Sequence, residues 1–90
     1  MFEWDDSKRE SNYQKHHIDF PDIVSIFDDP SHLTRQDKRN NYGEDRFQTM
    51  GKIMGIFILV VWTRRQENIR LISARKAHKK EIIEYEKGKR

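Results

Sequence analysis

Ile56-Phe57-Ile58-Leu59-Val60-Val61-Trp62-Thr63, then Arg64-Arg65-Gln66-Glu67-Asn68, then Ile69-Arg70-Leu71-Ile72-Ser73-Ala74: this stretch decides how the chain folds. Residues 56–63 are almost all β-branched, aliphatic or aromatic, with Gly55 on one side and two arginines on the other. Such an unbroken apolar run suits a strand covered on both faces, at the centre of a sheet. Residues 66–68 are polar and form a hairpin loop, and residues 69–74 supply the returning strand.

Working outward, residues 46–52 alternate weakly as a further strand, and 51–55 hold a turn. Residues 36–45 are polar, contain Asn40, Asn41 and Gly43, and read as a loop. Residues 32–35 are a short strand. Before them the period is helical: Phe20, Ile23, Val24 and Phe27 keep the i, i+3, i+4, i+7 spacing of a stripe facing a core. Asp19 caps this second helix, Pro21 sits harmlessly in its first turn, and Asp28-Asp29-Pro30 stops it. A first, mostly polar helix starts at Asp5 and Asp6 and runs to about Lys15 on the surface. Residues 2–4 are an edge strand, and residues 77–87 a closing helix with His78, Ile82 and Tyr85 along one side. Trp4, Phe20, Ile23, Val24, Phe27 and Trp62 are the expected core. No internal repeat is visible. The expectation is an α+β fold: two N-terminal helices packed on a mainly antiparallel sheet, with a C-terminal helix.

Ninety residues, 34% hydrophobic and 37% charged, support one small domain spanning the whole chain. A domain of this size has modest stability, which a bound partner would raise by mass action. The chain has no cysteine, which excludes disulfides, cysteine zinc sites and thiol nucleophiles. The first ten residues carry no apolar signal core. The longest apolar run, 55–62, falls well short of the ~20 residues of a membrane helix, so a soluble cytoplasmic protein is expected.

The net charge of +3 hides an asymmetry. Residues 1–45 hold six Lys/Arg against eleven Asp/Glu, net −5, whereas residues 46–90 hold twelve against four, net +8. A basic block is the footprint of a polyanion-binding surface. Lys79, Lys80, Lys87, Lys89 and Arg90 read equally well as a solvated helix. Arginines within a strand pattern are harder to dismiss.

The ordered set of short motifs resembles the BrnT family of toxins. It comprises Phe2-Glu3-Trp4-Asp5, Asn12, Lys15-His16, Phe20, Phe27-Asp28-Asp29-Pro30, and Arg46-Phe47 with Gly51 beyond. Its strongest part is Thr63 and Arg65, then Ile69-Arg70, Ile72-Ser73-Ala74-Arg75-Lys76-Ala77, Glu81 and Tyr85. The resemblance spans nearly the whole chain. It implies a RelE-like ribonuclease fold and neutralisation by a BrnA-like ribbon-helix-helix antitoxin, in a complex that represses its own operon by binding operator DNA. His17 departs from the family pattern, which usually has glycine there; Arg64 stands for a common glutamate, and His78 for a small polar residue. A helix C′ position often needs φ > 0, which glycine takes freely and His tolerates less well.

Cutting RNA without a metal uses the ribose 2′-hydroxyl against the adjacent phosphate. The protein must take that proton, protonate the leaving oxygen and stabilise charge on phosphorus. Arginine suits the last task, because its planar fork binds phosphate oxygens bidentately. Arg65, Arg70 and Arg75 are the candidate phosphate contacts. Strand alternation places Arg70 on one face of residues 69–74 and Ser73 with Arg75 on the other. The alternative for each arginine is a salt bridge to the acidic first half, or capture by the antitoxin.

His16 is the best acid–base candidate, since its ordinary pKa lies near working pH; its alternative is a structural histidine at a helix end. His16 and His17 point roughly 100° apart on a helix and make a poor chelate, so neither a metal nor another cofactor is expected. Glu81, four residues from Tyr85 on one helix face, either holds an arginine or acts as a base, and Tyr85 either stacks on a nucleobase or packs. Lys15, Ser73, Lys76 and Lys79 complete the expected RNA-binding set. The reading is a growth-arresting endoribonuclease acting on mRNA, free or at the ribosome. Its alternative is a non-catalytic nucleic-acid- or antitoxin-binding module serving as transcriptional co-repressor.

Overall fold

The computed structural model describes residues 1–38 and 43–88. The chain runs β1 (Phe2–Trp4), α1 (Asp6–His16), a 3₁₀ helix (Phe20–Asp28), β2 (Leu33–Asp37), β3 (Arg46–Ile53), β4 (Ile56–Arg65), β5 (Asn68–Lys76) and α2 (Lys79–Gly88). One five-stranded sheet has the order β1-β5-β4-β3-β2. The apolar run does form an interior strand, β4, flanked by β3 and β5 in antiparallel register.

Two features correct the expected architecture, although the class is α+β. The sheet is mixed, because β1 pairs with β5 in parallel, Glu3 opposite Arg70 and Trp4 opposite Leu71. A three-residue strand carries no local sign of its direction, which is set by where the rest of the chain leads. The N-terminal part holds one α-helix rather than two, the second segment being a 3₁₀ helix. Its fully buried residues, Phe20, Ile23 and Ile26, recur every three positions, the repeat of a 3₁₀ helix. At 3.6 residues per turn Ile26 would swing off that face. Val24 and Phe27, which the α-helical stripe placed inside, are only partly buried against the core. Gly51 permits the close approach of this segment, since a Cβ there would lie 3.0 Å from Cγ2 of Ile26.

Asp5 caps α1 by accepting from the Ser7 N–H at 2.8 Å. Asp19 makes no cap; its carboxylate takes both Nε and Nη2 of Arg9, at 2.6 and 2.9 Å. The β3–β4 turn is the pair Met54-Gly55, both at positive φ, as a two-residue type I′ hairpin requires. The expected loop over 36–45 is shorter at its start, because Gln36 and Asp37 belong to β2; residues 39–42, with Asn40 and Asn41, lie outside the described residues, as do Lys89 and Arg90 of the basic group.

The main core lies on one face of the sheet, where Ile58, Val60, Trp62, Leu71 and Ala74 meet the 3₁₀ helix. A smaller cluster of Met50, Leu59 and Tyr85 joins the opposite face to α2. Among the described residues no helix is long and apolar enough to cross a membrane.

Candidate active site

The register between β4 and β5 slips once. Val61 pairs with Ser73 and Trp62 with Leu71, leaving Ile72 as an extra residue in β5. A bulge of this kind resets the alternation of side chains. Leu71 and Ala74, three apart, therefore both enter the main core, and Arg70, Ser73 and Arg75 share the opposite face. Strict alternation had separated Arg70 from the other two. The bulge overturns that expectation and puts a polar stripe on the side of the sheet that α2 partly covers.

At one end of the stripe Arg75 is held by Glu81. The two guanidinium nitrogens Nη1 and Nη2 each donate to one carboxylate oxygen at 2.8 Å, and Nη1 also donates to the Lys76 carbonyl at 3.2 Å. The Glu81 carboxylate also accepts from the His78 N–H at 2.7 Å, closing the start of α2 as the third residue of a capping box does. Arg75 and the His78 N–H hold the Glu81 carboxyl at about 2, well below the usual 4.5. At neutral pH Glu81 is thus an anchor, and a poor proton acceptor. An arginine has five N–H donors. Three are used here, which leaves Nε–H and the adjacent Nη2–H, a parallel pair suited to two oxygens of one phosphate.

α1 brings His16 to the same end. Asn12 reaches from α1 to the edge of β5 and bonds both backbone groups of Ala74, at 2.9 and 3.0 Å. His16 lies one turn, about 5.4 Å, further along the same helix face. Partial burial, then the charges of Lys15 and Arg75, lower its pKa below the ordinary 6.5, so the imidazole is neutral at pH 7.

At the other end Arg70 donates to Glu3 across the parallel β1–β5 pair at 2.6 Å, and Asn68 donates to the same carboxylate at 3.0 Å. The Asn68 and Arg70 hydrogen bonds, with the charge of Arg65 nearby, hold Glu3 below its ordinary value. Arg65 is the last residue of β4, exposed at the hairpin. Arg70 and Arg75 lie five residues apart, roughly 15 Å along the strand. The three arginines therefore form a line along one face and do not surround a single point, with Ser73 between Arg70 and Arg75.

Lys15, Lys76 and Lys79 are exposed around the Arg75 end, at the last turn of α1, the end of β5 and the start of α2. Tyr85 lies beneath this surface rather than in the arginine stripe, lining a cleft between α2 and the sheet. Its ring is buried against Phe57 and its hydroxyl donates to the Ser31 carbonyl at 2.6 Å. Asn12 and Glu3 hold the site together, yet neither stands out in the sequence except within the family pattern.

A sequence model of the ribonuclease toxin BrnT of type II toxin–antitoxin systems matches residues 4–81. The chain belongs to the BrnT family. No curated protein matches it. As a BrnT-family member it is a ribonuclease toxin, with RNA as its substrate class and an antitoxin as its partner. The stripe that ends near Arg75 and His16 gathers an imidazole whose pKa is lowered, a guanidinium anchored by Glu81 with two open donors, and a line of further cations.

Proposed function

We propose that this toxin is a metal-independent endoribonuclease that cuts mRNA between Arg75 and His16. His16 takes the proton of a ribose 2′-hydroxyl. The O2′–P bond forms as the P–O5′ bond breaks, giving a 2′,3′-cyclic phosphate, and the departing 5′-oxygen takes a proton from water. Charge building on the phosphorus oxygens meets the Nε and Nη2 donors of Arg75, where one well-aimed donor contributes roughly 3–4 kcal/mol. Glu81 positions Arg75 and does not touch the scissile phosphate. Arg70 and Arg65, one strand length away, track the phosphates of neighbouring nucleotides, and Ser73, Lys15, Lys76 and Lys79 line the path between and around them. The observation that carries this reading is the end-on grip of Glu81, which orients Arg75 while leaving a phosphate-binding edge open.

The antitoxin fits the same face, since a protein that competes for these arginines silences the toxin simply by covering them. We take it to be a BrnA-like ribbon-helix-helix protein in a hetero-oligomer that binds operator DNA, in the cytoplasm, with growth arrest following when it is lost. The test is cleavage of RNA in EDTA by toxin freed of its antitoxin, with and without ribosomes, reading 2′,3′-cyclic phosphate ends. RNA that stays intact under both conditions sinks the enzyme and leaves the co-repressor reading.

A further inference from the structure

A cleft of about 220 Å³ opens between α2 and the sheet, on the face that carries the arginines. Its floor is apolar: Met50, Leu59 and Tyr85 are buried there. Gln48 lines it and is 5% exposed. The Gln48 carboxamide oxygen accepts from Arg35 Nε at 3.2 Å; since Nε is only a donor, this fixes which end of the amide is oxygen. The Gln48 NH₂ has no partner among the described residues. Among the described residues no buried side-chain nitrogen or oxygen lacks a partner, so this NH₂ is reached by solvent through the cleft and stands open to an acceptor on a ligand. Glu84, which leans toward Arg35 at 3.6 Å, stands at the mouth. Glu81, the residue that grips Arg75, forms part of the wall.

We infer that this cleft receives one nucleobase of the RNA, of the kind that carries a carbonyl oxygen beside a ring N–H. The inference deepens the proposed function and rests on it for the placement of the phosphate. Gln48 offers an N–H donor deep in the cleft, and Glu84 a carboxylate acceptor near its mouth. Guanine presents O6 next to N1–H, and uracil presents O4 next to N3–H. Neutral adenine and cytosine have a bare ring nitrogen in that position, which would face the Glu84 carboxylate with two acceptors opposed. The apolar floor accepts the flat face of the ring. Because Glu81 borders the cleft and also fixes Arg75, a base seated here belongs to a nucleotide whose phosphate, or the next one, lies on the open edge of Arg75. Gln48 and Glu84 are then the residues that choose where the strand is cut. An RNA base is favoured over an apolar antitoxin side chain by this open amide donor, which an apolar anchor would cut off from water without giving it a partner.

The experiment is an NMR titration of the full chain with 3′-GMP, 3′-UMP, 3′-AMP and 3′-CMP, following the Gln48 side-chain NH₂ and the methyls of Met50 and Leu59. The expected result is that 3′-GMP and 3′-UMP shift these signals and bind about tenfold tighter than 3′-AMP and 3′-CMP, the discrimination of one good base contact. Gln48→Met, of similar shape, should remove the preference, and Glu84→Gln, a surface change that keeps the fold, should weaken 3′-GMP and 3′-UMP selectively. Equal shifts for all four nucleotides, or shifts confined to the Arg70 and Arg75 region, overturn the inference. So does protection of Gln48 and Met50 by the antitoxin with no response to any nucleotide. The titration reads binding alone, so a failure to cleave RNA, which would sink the enzyme reading, leaves this result separate.

Discussion

The carboxamide of Asn12 pairs with both backbone groups of Ala74, donating from Nδ2 to the carbonyl at 2.9 Å and accepting at Oδ1 from the N–H at 3.0 Å. One side chain thereby does what a neighbouring strand would do, just past the point where β1 ends and the edge of β5 would otherwise be bare. A third bond, from Nδ2 to the Ile18 carbonyl at 3.1 Å, ties down the segment after α1. With Asn12 only 5% exposed, its removal strands buried donors and acceptors. Asn12→Ala should cost about 2–3 kcal/mol, a fall in Tm of roughly 10–20 °C for a domain of this size. It should also let the NMR-measured pKa of His16 rise toward the ordinary value as its burial against β5 is lost. A Tm within a degree or two of the native protein would show that the pairing is incidental.

Glu81 yields a pH dependence whose sign is fixed. Its folded-state pKa, about 2, lies below its ordinary 4.5, so the stabilisation is complete above about pH 4.5 and is lost as pH falls from there toward 2. Glu81→Gln abolishes this component at every pH. The difference in Tm between the native toxin and Glu81→Gln should be constant above pH 5 and shrink toward zero near pH 2. Its size at pH 7 should be about 1–2 kcal/mol, discounted for the partial exposure of the pair. A difference that persists unchanged at pH 2 would mean that the carboxylate is not what holds Arg75.

The central hairpin, the closing helix and the presence of the two short flanking strands were legible because each follows from local pattern: an apolar run, polar turn residues, a three-to-four-residue period. What decides the site is not local. Nothing in Ile69-Arg70-Leu71-Ile72-Ser73-Ala74 marks Ile72 as a bulge, since an apolar residue is equally at home in either register, and the alternation read from it split the arginines. The segment after Asp19 satisfies both a 3.6 and a 3.0 period, and only the burial of Ile26 distinguishes them. The capping box at His78 and Glu81 lacks the usual Ser or Thr. Asn12 sits in a helix so polar that no pattern sets it apart, and its partner is 62 positions away.

The two arginine contacts should separate in kinetics. On the proposed mechanism, Arg75→Ala removes donors aimed at charge that develops on phosphorus, so kcat should fall by about 10²–10³-fold with little change in KM. On the same proposal, Arg70→Ala removes a tracking contact. It should raise KM and reduce the slope of log K against log salt by about 0.7, one single-strand phosphate. In cells both variants should be less toxic, Arg75→Ala more so, while each still binds the antitoxin. Identical effects of the two substitutions on kcat would return the site to a single converging cluster.

On the proposed mechanism, the lowered pKa of His16 should set the acid limb of activity. Burial, Lys15 and Arg75 all disfavour the imidazolium, so log kcat/KM should rise with pH through a value below 6.5 and then level off. Arg75→Lys, which keeps a charge nearby, should leave that limb in place, whereas Arg75→Ala should move it upward. His16→Ala should flatten it, at a cost of about 10²–10⁴-fold in rate, with the fold intact by circular dichroism. A limb that survives in His16→Ala would assign the proton transfer to another group.

His17 ends α1 in the left-handed region, at φ 59° and ψ 32°, with its N–H donating to the Tyr13 carbonyl at 2.8 Å. The geometry is that of a helix C-terminus which glycine occupies without penalty, because a Cβ there crowds the following backbone. The side chain gives little in return. His17 is exposed, and its contact is an edge-on approach to the exposed Tyr13 ring at 6.1 Å. His17→Gly should therefore stabilise the toxin by about 0.5–1 kcal/mol after the extra chain entropy of glycine is deducted, raising Tm by roughly 2–8 °C. The terminal N–H bond keeps His16 in place, so kcat should not change. A lower Tm in His17→Gly would mean that the imidazole contributes more to the end of α1 than its backbone conformation costs, and a changed kcat would place His17 itself beside the substrate.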